Sequence, residues 1–124
     1  MSPRSREFMD RAREHLEAAR LTLAAGLFAP AVSDGYYAMV YASRAALSEE
    51  DRYARTHRGT WDLFYVTFVE SGRFDRALLA AARETQKPRE GADYAAQTFT
   101  REDAAQILDV AERFIAEVTE LIGE

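Results

Sequence analysis

The sequence contains no cysteine, which excludes disulfide bonds, cysteine-ligated zinc and a thiol nucleophile. It also lacks any apolar run near the roughly 18 residues that a membrane helix needs. The first residues, MSPRSREF, are charged and lack the apolar core of a secretory signal. We therefore expect a cytoplasmic protein without a membrane segment.

Acidic side chains outnumber cationic ones, and the net charge of the chain is -5. Non-specific nucleic-acid binding depends on many phosphate contacts made by cations, so we expect no broad basic surface. All but one of the 16 cationic side chains are arginine, the exception being Lys87. A guanidinium can form bidentate hydrogen bonds with phosphate or carboxylate, although a preference for arginine over lysine more often reflects genome composition.

Glycine and proline are few and fall at predicted helix ends, and apolar residues recur every three or four positions. This pattern predicts one all-helical domain over residues 1–124. Gly26 and Gly72 are expected to close helices, and Thr100 with Asp103 resembles a capping box. Five helices are predicted. The first covers about residues 5–25, the second runs from near Pro30 to about Ser48, and the third from near 57 to the SGRF sequence at 71–74. The fourth starts at Asp75 and is bent or ended by Pro88, and the fifth runs from about 101 to Ile122.

The short connections between these helices favour antiparallel neighbours in an up-and-down bundle. In that arrangement segments 49–58 and 88–100 share one end of the bundle. They contain a local excess of arginine on an otherwise acidic chain, which suits a phosphate-bearing ligand. We expect the functional site at this end.

The second predicted helix carries the run SDGYYAMVYASRAAL, with apolar residues on more than one side. Neighbouring helical residues diverge by about 100°, so Tyr36 and Tyr37 cannot both face the same core. Such a helix is either central in the bundle or also forms a subunit interface, where tyrosine is enriched. We predict a homodimer with Tyr37 and Tyr41 at the interface; the alternative is that all three tyrosines, including Tyr36, are structural.

Four segments together resemble the HEPN domain family: DGYYAMVYASRAAL, THRG, REGADY and EDAAQILDVAERFI. The resemblance covers nearly the whole chain and is strongest to a short stand-alone branch with YYAM, THxG and RxxADY motifs. It implies a bundle of five helices, a four-helix core plus one more, that dimerises. It also implies a small nucleotidyltransferase as partner, in a toxin–antitoxin or related pair, and nucleotide or RNA as ligand.

Many HEPN proteins are metal-independent ribonucleases that use an Arg-x4-6-His motif. Here the matching segment runs from Arg89 to Tyr94, so tyrosine stands where the histidine is expected. A tyrosine is a poor base at neutral pH because its pKa is about 10. The departure puts ribonuclease activity in doubt.

A literal Arg-x4-His occurs at Arg52 and His57, but a match of this kind is expected by chance in a chain so rich in arginine. The bundle topology nevertheless brings His57 towards the REGADY segment. The candidate ligand-binding residues are His57, Arg58, Arg89, Asp93 and Tyr94, and a ribonuclease would use His57, Arg89 and Tyr94 as catalytic residues.

The alternative interpretation of these residues is a structural polar cluster, in which Asp93 pairs with Arg89 and His57 caps a helix. His15 lies among charged residues of the first helix and is expected on a solvent-exposed face. Neither histidine has a second histidine three or four residues away, so no metal site or cofactor is predicted.

Three functions remain open. The leading hypothesis is a HEPN protein that binds a small nucleotidyltransferase and takes nucleotide or RNA at the site that includes His57 and Arg89. The first alternative is a metal-independent ribonuclease toxin using His57 or Tyr94 with Arg89. The second is a structural oligomerisation bundle.

Overall fold

The computed structural model describes residues 1–123, and these form helices without any β-strand. The predicted all-α helical bundle is confirmed. Its elements, in chain order, are α1 (Pro3–Ala24), α2 (Phe28–Glu49), α3 (His57–Phe64) continued by a π-helical turn (Tyr65–Val69), α4 (Arg76–Glu84), α5 (Gln86–Tyr94) and α6 (Arg101–Leu121).

Helix ends follow the local chemistry of the sequence. Thr100 and Asp103 form the predicted capping box, each side chain accepting a hydrogen bond from the other's backbone N–H. Asp75 caps α4 by accepting from the N–H of Ala77. Gly26 and Gly72 adopt φ of 80° and 79°, the left-handed conformation that glycine takes at little cost.

The predicted third helix changes its hydrogen-bonding pattern half-way, from α-helix to a π-helical turn at Tyr65–Val69. The spacing of Trp61, Phe64, Tyr65 and Phe68 predicts that they share one buried face. Trp61, Phe64 and Phe68 are buried. Tyr65 is only half-buried, and its hydroxyl accepts a hydrogen bond from Arg76. Residue spacing alone does not reveal where such a register change occurs.

The predicted fourth helix is interrupted at Thr85 and continues as α5. The Thr85 hydroxyl donates to the carbonyl of Ala82 at the break. The interruption expected from Pro88 thus falls one turn before the proline, because Pro88 cannot donate a hydrogen bond to the carbonyl of Glu84 and its ring crowds that carbonyl. Pro88 itself lies in the first turn of α5. Much of segment 88–100 is therefore helical.

The segments that follow α2 and α5 do not meet at one end of the bundle, contrary to expectation. The N–H of Arg52 donates to the carbonyl of Leu47, at the C-terminal end of α2. Phe99 packs against the small apolar cluster that Ala31 and Val32, near the N-terminal end of that helix, form with Ala104 and Ile107 of α6. Residues after α2 and after α5 thus lie at opposite ends of it.

The central element is α2, which contacts α1, α3, α5 and α6. This agrees with the apolar residues on several of its sides. Five of its alanines have no exposed surface, which allows close approach of neighbouring helices: Ala31, Ala38, Ala42, Ala45 and Ala46. One partly exposed strip, here named the α2 strip, remains along the helix and consists of Ser33, Asp34, Tyr37, Tyr41, Arg44 and Ser48.

An aromatic cluster fills the core between α3 and α6. Phe64 lies 4.9 Å from Phe74 and 5.6 Å from Phe114, measured between ring centroids, and Trp61 meets Phe114 edge-on at 6.0 Å. The indole N–H of Trp61 faces the hydroxyl of Tyr36 at 3.4 Å, which ties this cluster to α2. Within residues 1–123, no helix is both long and apolar enough to cross a membrane.

Candidate functional site

Arg89 of α5 lies among three tyrosine rings. Its Cζ atom is 4.8 Å from the ring centroid of Tyr36, 5.7 Å from that of Tyr37 and 5.8 Å from that of Tyr94. These are cation–π distances, and they attract a guanidinium electrostatically. The Arg89 side chain is only 8% exposed, whereas Tyr94 is 78% exposed. Tyr94 is therefore the outer ring of this group.

Asp93 connects Arg89 to α2. Its Oδ2 lies 3.7 Å from Nη1 of Arg89 and accepts a hydrogen bond from the Tyr37 hydroxyl at 3.2 Å. Its Oδ1 accepts from the Ser33 hydroxyl at 2.7 Å. The residue as a whole is exposed, but its side chain is only 20% exposed, since the carboxylate turns inward. The carboxylate thus contacts a cation and two neutral donors.

The environment keeps Tyr36 and Tyr37 protonated. Burial raises the pKa of Tyr37, and the negative charge of Asp93 raises it further. Burial likewise raises the pKa of Tyr36. Both hydroxyls consequently serve as hydrogen-bonding groups rather than as anions at neutral pH.

His57 lies on the α3 side of the same tyrosines, with its ring centroid 5.6 Å from that of Tyr36 and 5.7 Å from that of Tyr37. Partial burial lowers the pKa of His57, and the positive charges of Arg89 and Arg44 lower it further. The imidazole is therefore neutral at pH 7 and offers a basic nitrogen.

Thr56 immediately precedes His57 and caps α3, its side chain accepting from the N–H of Gly59 at 2.9 Å. The expectation that His57 caps the helix is therefore wrong, because the residue before it does so. This leaves the His57 ring to contact α2.

The structure brings together four of the five candidate ligand-binding residues: His57, Arg89, Asp93 and Tyr94 group around Tyr36 and Tyr37. Arg58 is exposed next to His57. The candidate residues meet beside the middle of α2 rather than at an end of the bundle. Residues 50–56 lead the chain back from the C-terminal end of α2, so that His57 lies beside Tyr36 and Tyr37. Arg52 donates instead to the hydroxyl of Thr67 at 3.1 Å.

Sequence reasoning missed three members of this cluster. Ser33 and Tyr36 belong to it through Asp93 and Arg89, and Arg44 through its charge on His57. Tyr36 faces Arg89 of α5 and Trp61 of α3, which becomes visible only when the packing partners of α2 are known.

His15 is not on a solvent-exposed face, so that expectation is wrong. Its Nδ1 lies 2.9 Å from Oδ1 of Asp34, and its ring stacks on Tyr41 at 5.4 Å with 6° between the planes. The acidic partner stands on α2, so the neighbours of His15 in sequence do not reveal it.

The Nε atoms of Arg89 and Arg44 are buried and have no hydrogen-bond partner among the described residues. Buried donors are seldom left unpaired, so such an atom marks a place where a ligand or water would supply an acceptor. No group of three or more His, Asp or Glu side chains in residues 1–123 could hold a metal ion. The available chemistry is that of a cation, two phenol hydroxyls and a neutral imidazole.

Comparison with known proteins identifies the family of the chain. The sequence matches the HEPN domain over residues 5–121. The chain belongs to the HEPN domain family. This HEPN protein is 30% identical over 126 residues to a UPF0332 protein of Gloeobacter violaceus, and the match covers 100% of both chains.

A second relative, from Methanocaldococcus jannaschii, is named "Putative toxin MJ0605". It is 27% identical over 113 residues, which span 91% of this HEPN chain and 84% of the relative. The crystal structure of TT1696 from Thermus thermophilus superimposes with a TM-score of 0.83 at 24% identity, over 97% of this chain and 99% of that one. The structural likeness shows the shared helical fold.

Proposed function

We propose that this HEPN protein is one member of a toxin–antitoxin-like pair, that it forms a homodimer and that it binds a small nucleotidyltransferase. In this proposal the cluster of His57, Arg89, Asp93 and Tyr94 binds the phosphate of a nucleotide or RNA. Family membership and the relative named as a toxin support the first part. The resemblance of the sequence to the short stand-alone HEPN branch suggests the partner.

One observation carries the ligand proposal: the buried guanidinium of Arg89 has an unpaired Nε and lies under an exposed tyrosine ring. A guanidinium offers phosphate a planar set of donors with permanent charge. An outward rotation of the Tyr94 ring would open Arg89 to a phosphate, and that ring could then stack on a base.

A second candidate function, metal-independent ribonuclease, is favoured by the state of His57. A neutral imidazole beside a permanent cation combines a proton acceptor with a group that stabilises phosphate charge. Tyr94, at the position of the missing motif histidine, is exposed and offers only a phenol. The two candidates differ in whether bound RNA is cut.

The ligand proposal is tested by fluorescence anisotropy with a labelled single-stranded RNA and, separately, with ATP by calorimetry. We expect binding that weakens as salt rises, because phosphate contacts release ions. Arg89→Gln should weaken binding at least about tenfold, while Arg113→Ala, on the exposed face of α6, should leave it unchanged. Equal affinity of wild type and Arg89→Gln for both ligands would contradict the proposal.

The partner is tested by purifying the tagged chain from its native host and identifying what accompanies it. A nucleotidyltransferase recovered in fixed ratio with the chain, after a wash at high salt, is the expected result. Recovery of the chain alone, with RNA and ATP binding also absent, would instead support the structural oligomerisation bundle.

A further inference from the structure

A cavity of about 240 Å³, here named the α5–α6 cavity, opens between α5 and α6. Three apolar residues that are buried or half-buried form its floor, and three exposed polar residues form its rim. The floor consists of Pro88, Phe99 and Ile107, and the rim of Gln97, Asp103 and Gln106. The volume is below the range of about 300–1,000 Å³ that drug-sized ligands occupy. The cavity is therefore suited to a single side chain.

The floor of the cavity is held by the packing of α6 against α2. Ile107 is only 8% exposed and belongs to the small apolar cluster against which Phe99 packs. A Cβ atom at Gly35 of α2 would lie 3.1 Å from Cγ2 of Ile107, so the two helices are in close contact there. The floor is thus formed before any ligand binds.

The rim offers hydrogen-bond acceptors and a negative charge. Oδ2 of Asp103 accepts from the N–H of Thr100 at 2.9 Å, which fixes the carboxylate in place. A carboxylate has about four lone-pair sites, so this bond leaves Asp103 able to accept from a ligand as well. Gln97 and Gln106 each add a carbonyl oxygen that can accept. The rim therefore suits a ligand that donates hydrogen bonds.

Charge decides which donor fits the rim. Arg101 is the cation closest to Asp103 in sequence, but its guanidinium donates to the carbonyl of Leu23 and lies over the ring of Phe28 at 5.1 Å. Helix α6 carries six acidic side chains and two arginines, a net charge of -4. Among the described residues, no cationic side chain lines the cavity. A phosphate would be repelled there, whereas a cation would be attracted.

We propose that the α5–α6 cavity is a docking site for a partner protein and takes an arginine side chain of that partner. The methylene groups of this arginine pack on the apolar floor, and its guanidinium stacks on the Phe99 ring and donates to the rim. Arginine fits better than lysine, because its planar group presents five donors to acceptors spread around the rim. The inference rests on one part of the proposed function, namely that the protein works with a protein partner.

The α5–α6 cavity is separate from the Arg89 site and from the α2 strip. Pro88 lines the cavity, whereas the next residue, Arg89, faces Tyr36 and Tyr37 of α2. Consecutive helical residues diverge by about 100°, so the two sites lie on different faces of α5. The floor and the rim contain no residue of the α2 strip, so a dimer formed through that strip leaves the cavity open.

The first test titrates the full chain, labelled with nitrogen-15, with N-acetyl-arginine amide and follows the side-chain NH₂ signals of Gln97 and Gln106 by NMR. We expect saturable shifts with an affinity on the order of millimolar, because the probe is a single side chain. N-acetyl-citrulline amide has nearly the same shape without the charge and should bind at least about tenfold more weakly. N-acetyl-lysine amide should also bind more weakly than the arginine probe.

Two variants with the same charge change show where the probe binds. Asp103→Asn removes the charge of the rim but keeps an oxygen that can accept from Thr100, and it should weaken binding of the arginine probe at least about tenfold. Asp109→Asn, at a residue of α6 outside the cavity that pairs with Arg113, should bind the probe like wild type. Melting curves show whether both variants are folded.

The second test measures how much nucleotidyltransferase accompanies the tagged chain when wild type and each variant are purified from the native host. Asp103→Asn should recover at least about tenfold less of it than wild type, and Asp109→Asn should recover as much as wild type. Asp103→Asn should bind RNA like wild type, because the cavity is separate from Arg89.

The outcomes separate this inference from the proposal on which it rests. The absence of a saturable shift, equal binding of the arginine and citrulline probes, or equal binding of the arginine probe to wild type and Asp103→Asn would overturn the docking inference alone. Full recovery of the nucleotidyltransferase by Asp103→Asn would do the same. Wild type that recovers no nucleotidyltransferase would overturn the partner in the proposed function, and the probe titration would still decide whether the cavity takes arginine.

Discussion

The guanidinium of Arg89 lies 3.7 Å from the carboxylate of Asp93, one helical turn later in α5. At that separation the interaction is ionic rather than a close hydrogen bond. The same carboxylate accepts from Ser33 and Tyr37, so it links α5 to the middle of α2. This single side chain therefore positions the cation of the site relative to the tyrosines.

Asp93→Ala should destabilise the protein by about 2 kcal/mol, between the value for an exposed ion pair and that for a buried one. The cost arises because the nearly buried Arg89 loses its counter-charge and two hydroxyls lose their acceptor. Urea unfolding measures it. Asp109→Ala, which removes an exposed pair with Arg113 in α6, is the matched control and should cost under about 1 kcal/mol. Equal costs would mean that Asp93 is effectively solvated.

The lowered pKa of His57 predicts a stability that depends on pH. The unfolded chain binds a proton near pH 6.5, and the folded chain binds it only at lower pH. The contribution of neutral His57 is thus fully present above the unfolded pKa and is lost as the pH falls through the folded pKa. The melting temperature of wild type should fall more between pH 8 and pH 5 than that of His57→Asn.

Direct titration by NMR gives an independent check of that prediction. The imidazole signal of His57 should titrate below the usual value for histidine, and Arg89→Gln should move its pKa upward by removing one of the two positive charges. An ordinary His57 titration in wild type would mean that the ring is more hydrated than its position against Tyr36 and Tyr37 implies.

A side chain at Gly91 would require Gln97 to move. A Cβ atom at this position would lie 2.0 Å from Oε1 and 3.1 Å from Cβ of Gln97, whose N–H donates to the Gly91 carbonyl. The exposed amide end of Gln97 can turn away, so the cost of Gly91→Ala comes from the contact between the two Cβ atoms. The better helix propensity of alanine offsets part of this cost, and we expect a net loss under about 1 kcal/mol in urea unfolding. Gln97→Ala removes the nearer contact and should restore part of that stability in the double variant. A Gly91→Ala protein as stable as wild type would show that residues 95–100 move aside freely.

The homodimer remains a prediction, and the α2 strip supplies its test. Tyr37 and Tyr41 are half-buried within one chain, so an interface there would cover their remaining surface. Light scattering should give twice the 14.0 kDa mass of one chain. Tyr41→Glu should shift the protein towards monomer.

Tyr65→Glu, which changes a half-buried tyrosine of the π-helical turn, is the control for that experiment and should remain dimeric. Melting curves of both variants show whether each is folded. A wild-type monomer at micromolar concentration would contradict the prediction.

Helix ends could be predicted from the sequence because caps are local. Thr100 with Asp103, and Gly26 and Gly72, act within a few residues of their own positions. The interruption of the fourth predicted helix was expected from Pro88, although not its exact position at Thr85. The π-helical turn could not be predicted, because it depends on how a whole helix fits against its neighbours. A proline such as Pro88 is compatible both with the end of one helix and with the first turn of the next, and tertiary packing decides which of the two occurs.

We expected some residues of the candidate site to lie close together because their segments would share one end of the bundle, and that reason proved wrong. His57, Arg89 and Asp93 do gather, but around Tyr36 and Tyr37 of α2 rather than at an end of the bundle. The partnership of His15 with Asp34 joins residues 19 positions apart on different helices. Sequence spacing within one helix carries no information about such a pair.

The five fully buried alanines of α2 determine which substitutions the protein can accept during evolution. Each allows a neighbouring helix to approach closely, so a larger side chain at any of them would push that helix away. Tyr36, Tyr37 and Asp34 stand on the same helix, so its displacement would also separate the two histidines. We therefore expect sequence drift in this protein to be concentrated on the outer faces of α1 and α6, with α2 changing slowly along its entire length except at the α2 strip.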